Sequence, residues 1–257
     1  MGGDSGSGDG RQAGVGGSAD SNGAPAEEEG NAGGTDGGQA VGSDGGQAVG
    51  SDGGHELVTD GGHELVTDGG QAIGGVLLAA GQSTRFEDGN KLLAEVDGVP
   101  VVRRATETLL AANLRGPVVV LGHDEARVRG ALGGLDVEWR VNEDYADGQH
   151  TSVALGVAVA RERDWDAVVF ALGDMPAVDP DTVDELVGAY REGTGTVLAP
   201  AHEGQRGNPV LFARSHFEAL AAVTGDRGGR EIVEAQGTLV PVDDPGVLRD
   251  VDRVEDL

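Results

Sequence analysis

From Gly74 to the carboxyl terminus, short apolar runs alternate with segments whose apolar residues recur at helical spacing. The apolar runs are GGVLLAA (74–80), GPVVVLG (116–122), VEWRV (137–141) and DAVVFAL (166–172). The helical patterns cover residues 99–112, 124–132, 151–163 and 181–191. Strands that alternate with helices in this way pair in parallel and carry helices on both faces of the sheet. The sequence therefore predicts an α/β fold of three layers around a mostly parallel sheet.

Residues 1–73 differ in composition from the rest of the chain. They are rich in glycine, serine, alanine and aspartate, and they contain five octapeptides that begin with Asp-Gly-Gly, the first at Asp36 and the last at Asp68. Such a segment cannot bury enough apolar surface to offset the entropy lost on ordering. We therefore expect a disordered acidic leader over 1–73 and one folded domain over 74–257. A calcium-binding β-roll is one alternative, although the octapeptide differs from the nonapeptide of those repeats. A weak metal site at His55 and His63 is another.

The sequence is strongly acidic, with a formal net charge of −27, and it contains no cysteine. Nucleic-acid phosphates are bound by clusters of lysine and arginine, so this charge argues against a nucleic-acid partner. The absence of cysteine excludes disulfides and thiolate metal sites. The carboxylates are scattered along the chain, which favours a surface suited to high salt over a focused site for a basic partner.

The sequence contains neither the pattern of a membrane span nor that of a secretory signal. No apolar stretch approaches the roughly 20 residues that a membrane span needs. The amino terminus, MGGDSGSGDG, lacks the basic and apolar regions of a secretory signal. We therefore expect a soluble cytoplasmic protein without a membrane partner.

The loop after the first predicted strand combines small residues with two cations. The small and apolar residues that end the strand and open the loop are Leu78, Ala79, Ala80 and Gly81. Ligands bind at the carboxyl ends of parallel strands, where exposed backbone N–H groups hold phosphate oxygens. Arg85 and Lys91 follow, and Lys91 is the only lysine in the sequence, which indicates a position that needs a compact ammonium. The loop therefore predicts a polyphosphate site, although it is neither a Walker loop nor a dinucleotide fingerprint.

Polar residues also follow the third and fourth predicted strands. Asp174 comes directly after the fourth strand and precedes Met175-Pro176. A carboxylate at this place suits Mg²⁺, which takes one or two carboxylates together with phosphates and water, and the alternative is a turn or cap residue. Asn142 ends the third strand and offers an amide to a base or a ribose. Ser152 is either an anion contact at the start of the next helix or an ordinary N-cap.

The segment LLAAGQSTRFEDGNKLL (77–93) resembles the L-A-A-G-x-[GS]-x-R…K-L-L signature of nucleotidyltransferases related to molybdenum cofactor cytidylyltransferase. Later segments agree with that family in order and spacing, namely VNEDYADGQHTS (141–152), LGDMP (172–176), RGNPVLF (206–212) and GDRGGR (225–230). The resemblance implies a Rossmann-like nucleotidyltransferase fold of the nucleotide-diphospho-sugar transferase type. The sequence departs from the family twice. The interval from Arg85 to Lys91 is one residue longer than R-M-G-x-x-K, and Asn208 stands where many relatives have histidine.

The resemblance also assigns roles to the residues of the site. It implies that Arg85, Lys91 and Asp174 are catalytic. The expected nucleotide contacts are Leu78, Ala79, Ala80, Gly81, Arg85, Lys91, Asn142 and Ser152. Asp174 is the expected metal ligand, together with Asp252 or its neighbour Asp250. Arg227 or Arg230 would face the phosphate of an acceptor.

The expected reaction follows from the same resemblance. Relatives that use CTP tend to have Ala-Ala-Gly at the positions that match 79–81, so CTP and molybdopterin are the expected substrates, Mg²⁺ the cofactor, and a molybdenum enzyme the recipient of the product. The same chemistry with GTP or a sugar phosphate is one alternative. A glycosyltransferase is another, although its D-x-D motif does not match Gly173-Asp174-Met175. A non-enzymatic carrier or chaperone of the cofactor is the alternative of a different class.

Overall fold

The structure is a computed structural model, and it describes residues 70–84, 86, 89–225 and 229–257. Nearly all of the predicted leader, with its octapeptides and with His55 and His63, lies outside the described residues. So do Arg85 and Arg227. The division into a leader and a domain at residue 73 therefore stays a prediction.

The described residues form ten strands and six α-helices. The strands are β1 (Ile73–Ala79), β2 (Glu95–Val96), β3 (Val99–Pro100), β4 (Arg115–Leu121), β5 (Glu138–Val141), β6 (Ala167–Leu172), β7 (Val197–His202), β8 (Gln205–Arg206), β9 (Val210–Ala213) and β10 (Thr238–Pro241). The helices are α1 (Val101–Ala111), α2 (Glu125–Ala131), α3 (Gln149–Glu162), α4 (Pro180–Arg191), α5 (Phe217–Ala222) and α6 (Arg230–Gln236). None of these helices is long and apolar enough to cross a membrane.

The central sheet has the order β10-β7-β9-β6-β1-β4-β5, with β8 paired to β7. Strands β6, β1, β4 and β5 run parallel, which confirms the mostly parallel α/β fold that the alternating pattern predicts. Strands β7 to β10 extend the sheet beyond the predicted four. Strand β9 is antiparallel to both β6 and β7, because the short connection from β7 through β8 has no room for the crossover that a parallel pair needs.

Two apolar layers enclose the sheet. Leu77 of β1 packs on one face with Leu109 of α1 and Leu186 of α4. Val76, its neighbour, packs on the other face with Val157 of α3. Successive residues of a strand point to opposite faces, so a strand covered on both sides is apolar throughout. This explains why the predicted strands lack an alternation of apolar and polar residues.

The layers also place the ligand site. Helix α1 connects β1 to β4 on one face, whereas α3 connects β5 to β6 on the other. Crossovers that leave β1 and return to β6 on opposite faces open a crevice at the carboxyl ends of these strands. Any ligand of the sheet is therefore expected beside Ala79 and Leu172.

Two helical glycines give a test of this packing. A Cβ on Gly156 of α3 would lie 2.5 Å from the Phe170 ring and 2.9 Å from a Val76 methyl, whereas one on Gly188 of α4 would meet nothing within 4 Å. We expect Gly156→Ala to lower the free energy of unfolding by about 1–3 kcal/mol, because it overpacks the layer. Gly188→Ala should raise it by about 0.5–1 kcal/mol, because alanine is the better helix former. Urea unfolding measures both, and shifts of the same sign would contradict the packing described here.

Candidate active site

A cavity of about 450 Å³ opens at the carboxyl ends of β1 and β6. The loop after β1 forms one wall with residues 80–84, and the first residues of α3 form the opposite wall. Lys91, Asp174 and Asp252 also line the cavity. The cavity therefore lies at the edge of the sheet where the topology predicts a ligand.

The centre of the cavity is an ion-paired cluster around Lys91. The Lys91 Nζ atom lies 2.6 Å from Asp174 Oδ2 and 2.6 Å from Asp252 Oδ1. Burial alone would lower the pKa of Lys91, but the charges and hydrogen bonds of Asp174 and Asp252 outweigh it, and the net result is a raised pKa. The ammonium is therefore charged at neutral pH.

Three carboxylates of this cluster suit a divalent cation. Asp174, Asp250 and Asp252 each offer an oxygen, and these oxygens lie within 4.8 Å of one another. The Asp174 Oδ1 atom is buried and has no hydrogen-bond partner in the part of the chain that the structure describes. A buried oxygen without a partner is costly, and a hard cation with oxygen ligands would satisfy it. The residues therefore fit a metal site, and the cluster contains both Asp250 and Asp252, which the sequence leaves as alternatives.

The carboxyl-terminal segment reaches the cavity because it is anchored to the domain. The Val251 N–H donates to the Asp174 carbonyl oxygen at 2.9 Å. The Val251 side chain is buried against Phe86 and Val101. These contacts hold Asp252 beside Asp174 although 78 positions separate the two residues in the sequence.

The small residues after β1 divide between the cavity and the core. Leu78, Ala80 and Gly81 line the cavity. Ala79 is buried in the apolar layer on the α1 face, because neighbouring strand residues point to opposite sides. Arg85 lies outside the described residues, so its catalytic role stays a prediction.

Asn142 lies at the end of β5, but its side chain does not line the cavity. Its Nδ2 donates to Thr151 Oγ1 at 2.8 Å and to Ser152 Oγ at 2.9 Å, and its Oδ1 accepts from the Asp144 N–H at 3.1 Å. The amide is occupied within the turn that leads into α3, so it fixes the start of this helix. Direct contact of Asn142 with a nucleotide stays a prediction.

Ser152 lies inside α3, since the helix begins at Gln149. The alternative that Ser152 is an N-cap was therefore wrong, because the helix begins two residues before its apolar pattern at 151–163 and Gly148 is its N-cap. Ser152 is buried and lines the cavity, as expected for a residue near the ligand.

Other lining residues carried no chemical signal of their own in the sequence. They are Gln82, Ser83, Thr84, Tyr145 and Gln149. All of them lie inside the motif segments 77–93 and 141–152. Ser83 occupies the [GS] position of the family signature, whereas the other four are indicated only by their proximity to a motif.

A second cavity, of about 330 Å³, adjoins the first and shares Leu78, Gln149 and Leu172 with it. Phe170 and Phe212 form part of an apolar wall, with their rings edge to face at a centroid distance of 6.2 Å. The polar residues of its lining are Arg206, Arg230, Asn208 and the shared Gln149. Arg230 therefore lies beside the candidate active site, whereas Arg227 lies outside the described residues.

Comparisons with known proteins identify several relatives of this chain. Nicotine blue oxidoreductase of Paenarthrobacter nicotinovorans is 30% identical over 194 residues, which cover 71% of this chain and 93% of that protein. A probable molybdenum cofactor guanylyltransferase of Natronomonas pharaonis is 37% identical over 112 residues, 44% of this chain and 54% of that protein. The solved structure of the Rv0371C protein of Mycobacterium tuberculosis in complex with manganese is 26% identical, with a TM-score of 0.60 over 72% of this chain and 95% of that one.

The fold and the family are consistent with each other. A nucleotidyl transferase from Methanothermobacter thermautotroptrophicus has the same fold, with a TM-score of 0.63 at 24% identity over 73% of this chain and 94% of that one. A family described as MobA-like NTP transferase domain matches residues 75–240, which include most of β1, all of β6 and most of the cavity lining. The chain therefore belongs to the family of MobA-like NTP transferase domains.

Proposed function

We propose that the protein transfers a nucleotidyl group from a nucleoside triphosphate to a phosphorylated acceptor and releases pyrophosphate. The observation that carries this proposal is the ammonium of Lys91, held at 2.6 Å from two carboxylates in a cavity at the carboxyl ends of β1 and β6. Phosphoryl transfer needs a cation that stabilises the phosphate charge and carboxylates that bind a metal ion, and this cavity brings the two together. Membership of an NTP transferase family supports the same reaction.

The reaction needs little covalent chemistry from the protein. An oxygen of the acceptor phosphate attacks the α-phosphorus of the NTP, a new P–O bond forms, and the bond between the α-phosphorus and the bridging oxygen breaks as pyrophosphate leaves. An acceptor phosphate is already ionised at neutral pH, so no side chain has to remove a proton. Lys91 neutralises the negative charge that moves toward the leaving group, and the backbone of residues 81–84 orients the triphosphate. Arg85 is proposed to act beside Lys91.

Asp174, Asp252 and Asp250 would hold a divalent cation, which we propose to be Mg²⁺. When bound, the ion supplies charge neutralisation to the phosphates. The buried Asp174 Oδ1, which has no hydrogen-bond partner among the described residues, supports a ligand at this place. One oxygen from each of the three carboxylates lies within 4.8 Å of the others. The manganese complex of the Rv0371C protein supports a divalent ion in a related fold.

The second cavity suggests the class of acceptor. Its wall of Phe170, Phe212 and Leu220 can pack against the face of a planar ring system, whereas the hydroxyls of a polyhydroxylated sugar would lose their hydrogen bonds to water there. Arg206 and Arg230 at the same cavity can hold a phosphate. We therefore propose a phosphorylated pterin, molybdopterin or its molybdenum form, as the acceptor, and a molybdenum enzyme as the recipient of the product.

The nucleotide is proposed to be CTP, because Ala79-Ala80-Gly81 matches the sequence that is typical of cytidylyl relatives. GTP is the second candidate, since the related protein of Natronomonas pharaonis is described as a probable guanylyltransferase. The structure puts Ala80 and Gly81 at the cavity but Ala79 in the core, so Ala80 and Gly81 are the residues of this triplet that can bear on the choice of nucleotide.

A panel of nucleotides tests the proposal. We expect pyrophosphate release with CTP, Mg²⁺ and molybdenum cofactor in high salt to exceed release with GTP, ATP or UTP by roughly 10- to 100-fold in kcat/KM. Faster release with GTP would overturn the choice of CTP but keep the reaction. Transfer to a sugar phosphate but not to the pterin would overturn the acceptor, and no release with any NTP would overturn nucleotidyl transfer.

A further inference from the structure

Asn90 directly precedes Lys91 and is buried, with 6% of its surface exposed. Its Oδ1 accepts hydrogen bonds from the Leu92 N–H at 3.0 Å and from the Ser83 hydroxyl at 3.1 Å. The Ser83 oxygen in turn accepts from the Lys91 N–H at 3.3 Å. These bonds join the start and the end of the loop after β1, and we call them the Ser83–Asn90 clasp.

The clasp closes a loop that is longer than its family pattern. The interval from Arg85 to Lys91 exceeds R-M-G-x-x-K by one residue. At its two ends, Ser83 has a φ of 52° and Gly89 a φ of 103°, so the chain turns sharply at both. A longer loop has more conformations to lose when it orders. Bonds that tie Ser83 to Asn90 remove this freedom directly beside Lys91.

Among the described residues, the Asn90 amide forms its hydrogen bonds through Oδ1. The Asn90 Nδ2 atom is buried and has no hydrogen-bond partner among the residues that the structure describes. A buried donor without a partner opposes folding, so the gain from this side chain comes from the two bonds that Oδ1 accepts. Asn90 also caps the short 3-10 helix Lys91–Leu93, which fixes the direction in which the Lys91 side chain leaves the backbone.

We propose that Asn90 is a positioning residue that, through the Ser83–Asn90 clasp, holds the ammonium of Lys91 against Asp174 and Asp252. Asn90 does not line the candidate active site, so it acts through Lys91 and not on a substrate. The consequence for catalysis rests on the proposed nucleotidyl transfer, but the effect on Lys91 itself does not.

The kinetic test removes the two ends of the clasp singly and together. We expect Asn90→Ala to lower kcat for pyrophosphate release by roughly 10- to 100-fold, with KM for the NTP changed by less than about threefold, because the lysine is misplaced while the phosphate loop still binds. If the clasp acts as one unit, the double variant with Ser83→Ala should have a kcat no lower than about that of the worse single variant. Additive losses in kcat, or a loss in KM alone, would overturn the proposal.

Asp179→Ala is the matched control for loss of a cap. The Asp179 side chain caps α4 by accepting from the Asp181 N–H at 3.0 Å, and it lines neither cavity of the candidate active site. We expect it to lower the unfolding temperature about as much as Asn90→Ala while leaving kcat unchanged. Assays run well below the unfolding temperature of both variants keep an effect on folding apart from one on Lys91.

A second readout needs no substrate, because Lys91 is the only lysine in the sequence. The full chain is treated with N-hydroxysuccinimidyl acetate, and acetylation of the peptide that contains Lys91 is followed by mass spectrometry. We expect labelling about tenfold faster in Asn90→Ala than in the unmodified protein, and no change in Asp179→Ala. Equal rates in Asn90→Ala and the unmodified protein would overturn the clasp. Faster labelling in a protein that releases no pyrophosphate would keep the clasp and reject the proposed function.

Discussion

Lys91→Ala is expected to lower pyrophosphate release by about 10²- to 10³-fold. The ammonium is the only cation that the described residues place between Asp174 and Asp252, and its side chain is only 15% exposed. A preorganised charge in such a site stabilises the leaving phosphates much more than a charge in water would. Single-turnover measurements at saturating NTP separate this loss from any change in nucleotide binding.

Lys91→Arg tests whether the site needs a compact ammonium. The Nζ atom contacts both carboxylates at 2.6 Å, and a planar guanidinium cannot take the same position without moving one of them. We expect Lys91→Arg to recover less than about a tenth of the lost activity. Full activity with arginine would contradict the interpretation that position 91 needs a compact ammonium.

The same variants distinguish an enzyme from a carrier. A non-enzymatic chaperone has no leaving group to stabilise, so it should deliver cofactor equally well with Lys91→Ala. Loss of the ammonium also frees carboxylate oxygens of Asp174 and Asp252 that it now occupies. We therefore expect Lys91→Ala to bind Mn²⁺ more tightly than the unmodified protein while its turnover falls, a combination that general misfolding would not produce.

The sequence predicts the strands that carry this site and two of its residues, because local patterns determine them. Apolar runs near 74–80 and 166–172 become β1 and β6 within one residue of their ends, and the parallel order follows from the helices between them. Lys91 and Asp174 follow from unusual residue usage and from a position at a strand end. Both signals are local, and both lead to the cavity.

Long-range contacts are harder to predict from one sequence. Nothing local indicates that Asp252 meets Lys91 across 161 positions, because this contact depends on Val251 packing against Phe86 and Val101. Asn142 has the expected position, but the sequence does not reveal that Thr151 and Ser152 occupy its amide. Side-chain competition of this kind depends on rotamers and on packing, which a linear pattern does not encode.

A glycosyltransferase would use the same edge of the sheet differently. Its D-x-D motif normally follows the fourth predicted strand, whereas this chain has Gly173-Asp174-Met175 there. The other two acids of the cluster, Asp250 and Asp252, come from the carboxyl-terminal segment instead. Release of pyrophosphate rather than a nucleoside diphosphate separates the two reactions in one assay.

Asp174→Asn is expected to abolish turnover, with a loss of at least about 10³-fold, and to weaken Mn²⁺ binding. The carboxylate of Asp174 has one oxygen on Lys91 Nζ and another that is buried without a partner in the described part of the chain, so the amide removes the charge on which both the metal and the lysine depend. Titration with Mn²⁺, followed by electron paramagnetic resonance of the free ion, measures the affinity independently of activity.

Asp250→Asn is the matched control, because Asp250 belongs to the same cluster but is exposed to solvent. Solvent screens an exposed carboxylate, so this change should cost only about tenfold in metal affinity, and a higher concentration of Mg²⁺ should restore turnover. Excess Mg²⁺ should not restore Asp174→Asn, because the amide at this half-buried position keeps neither the charge nor the ion pair with Lys91. Equal losses of metal affinity and equal recovery by Mg²⁺ in the two variants would contradict this prediction. Asp174 would then not be the principal carboxylate of the site.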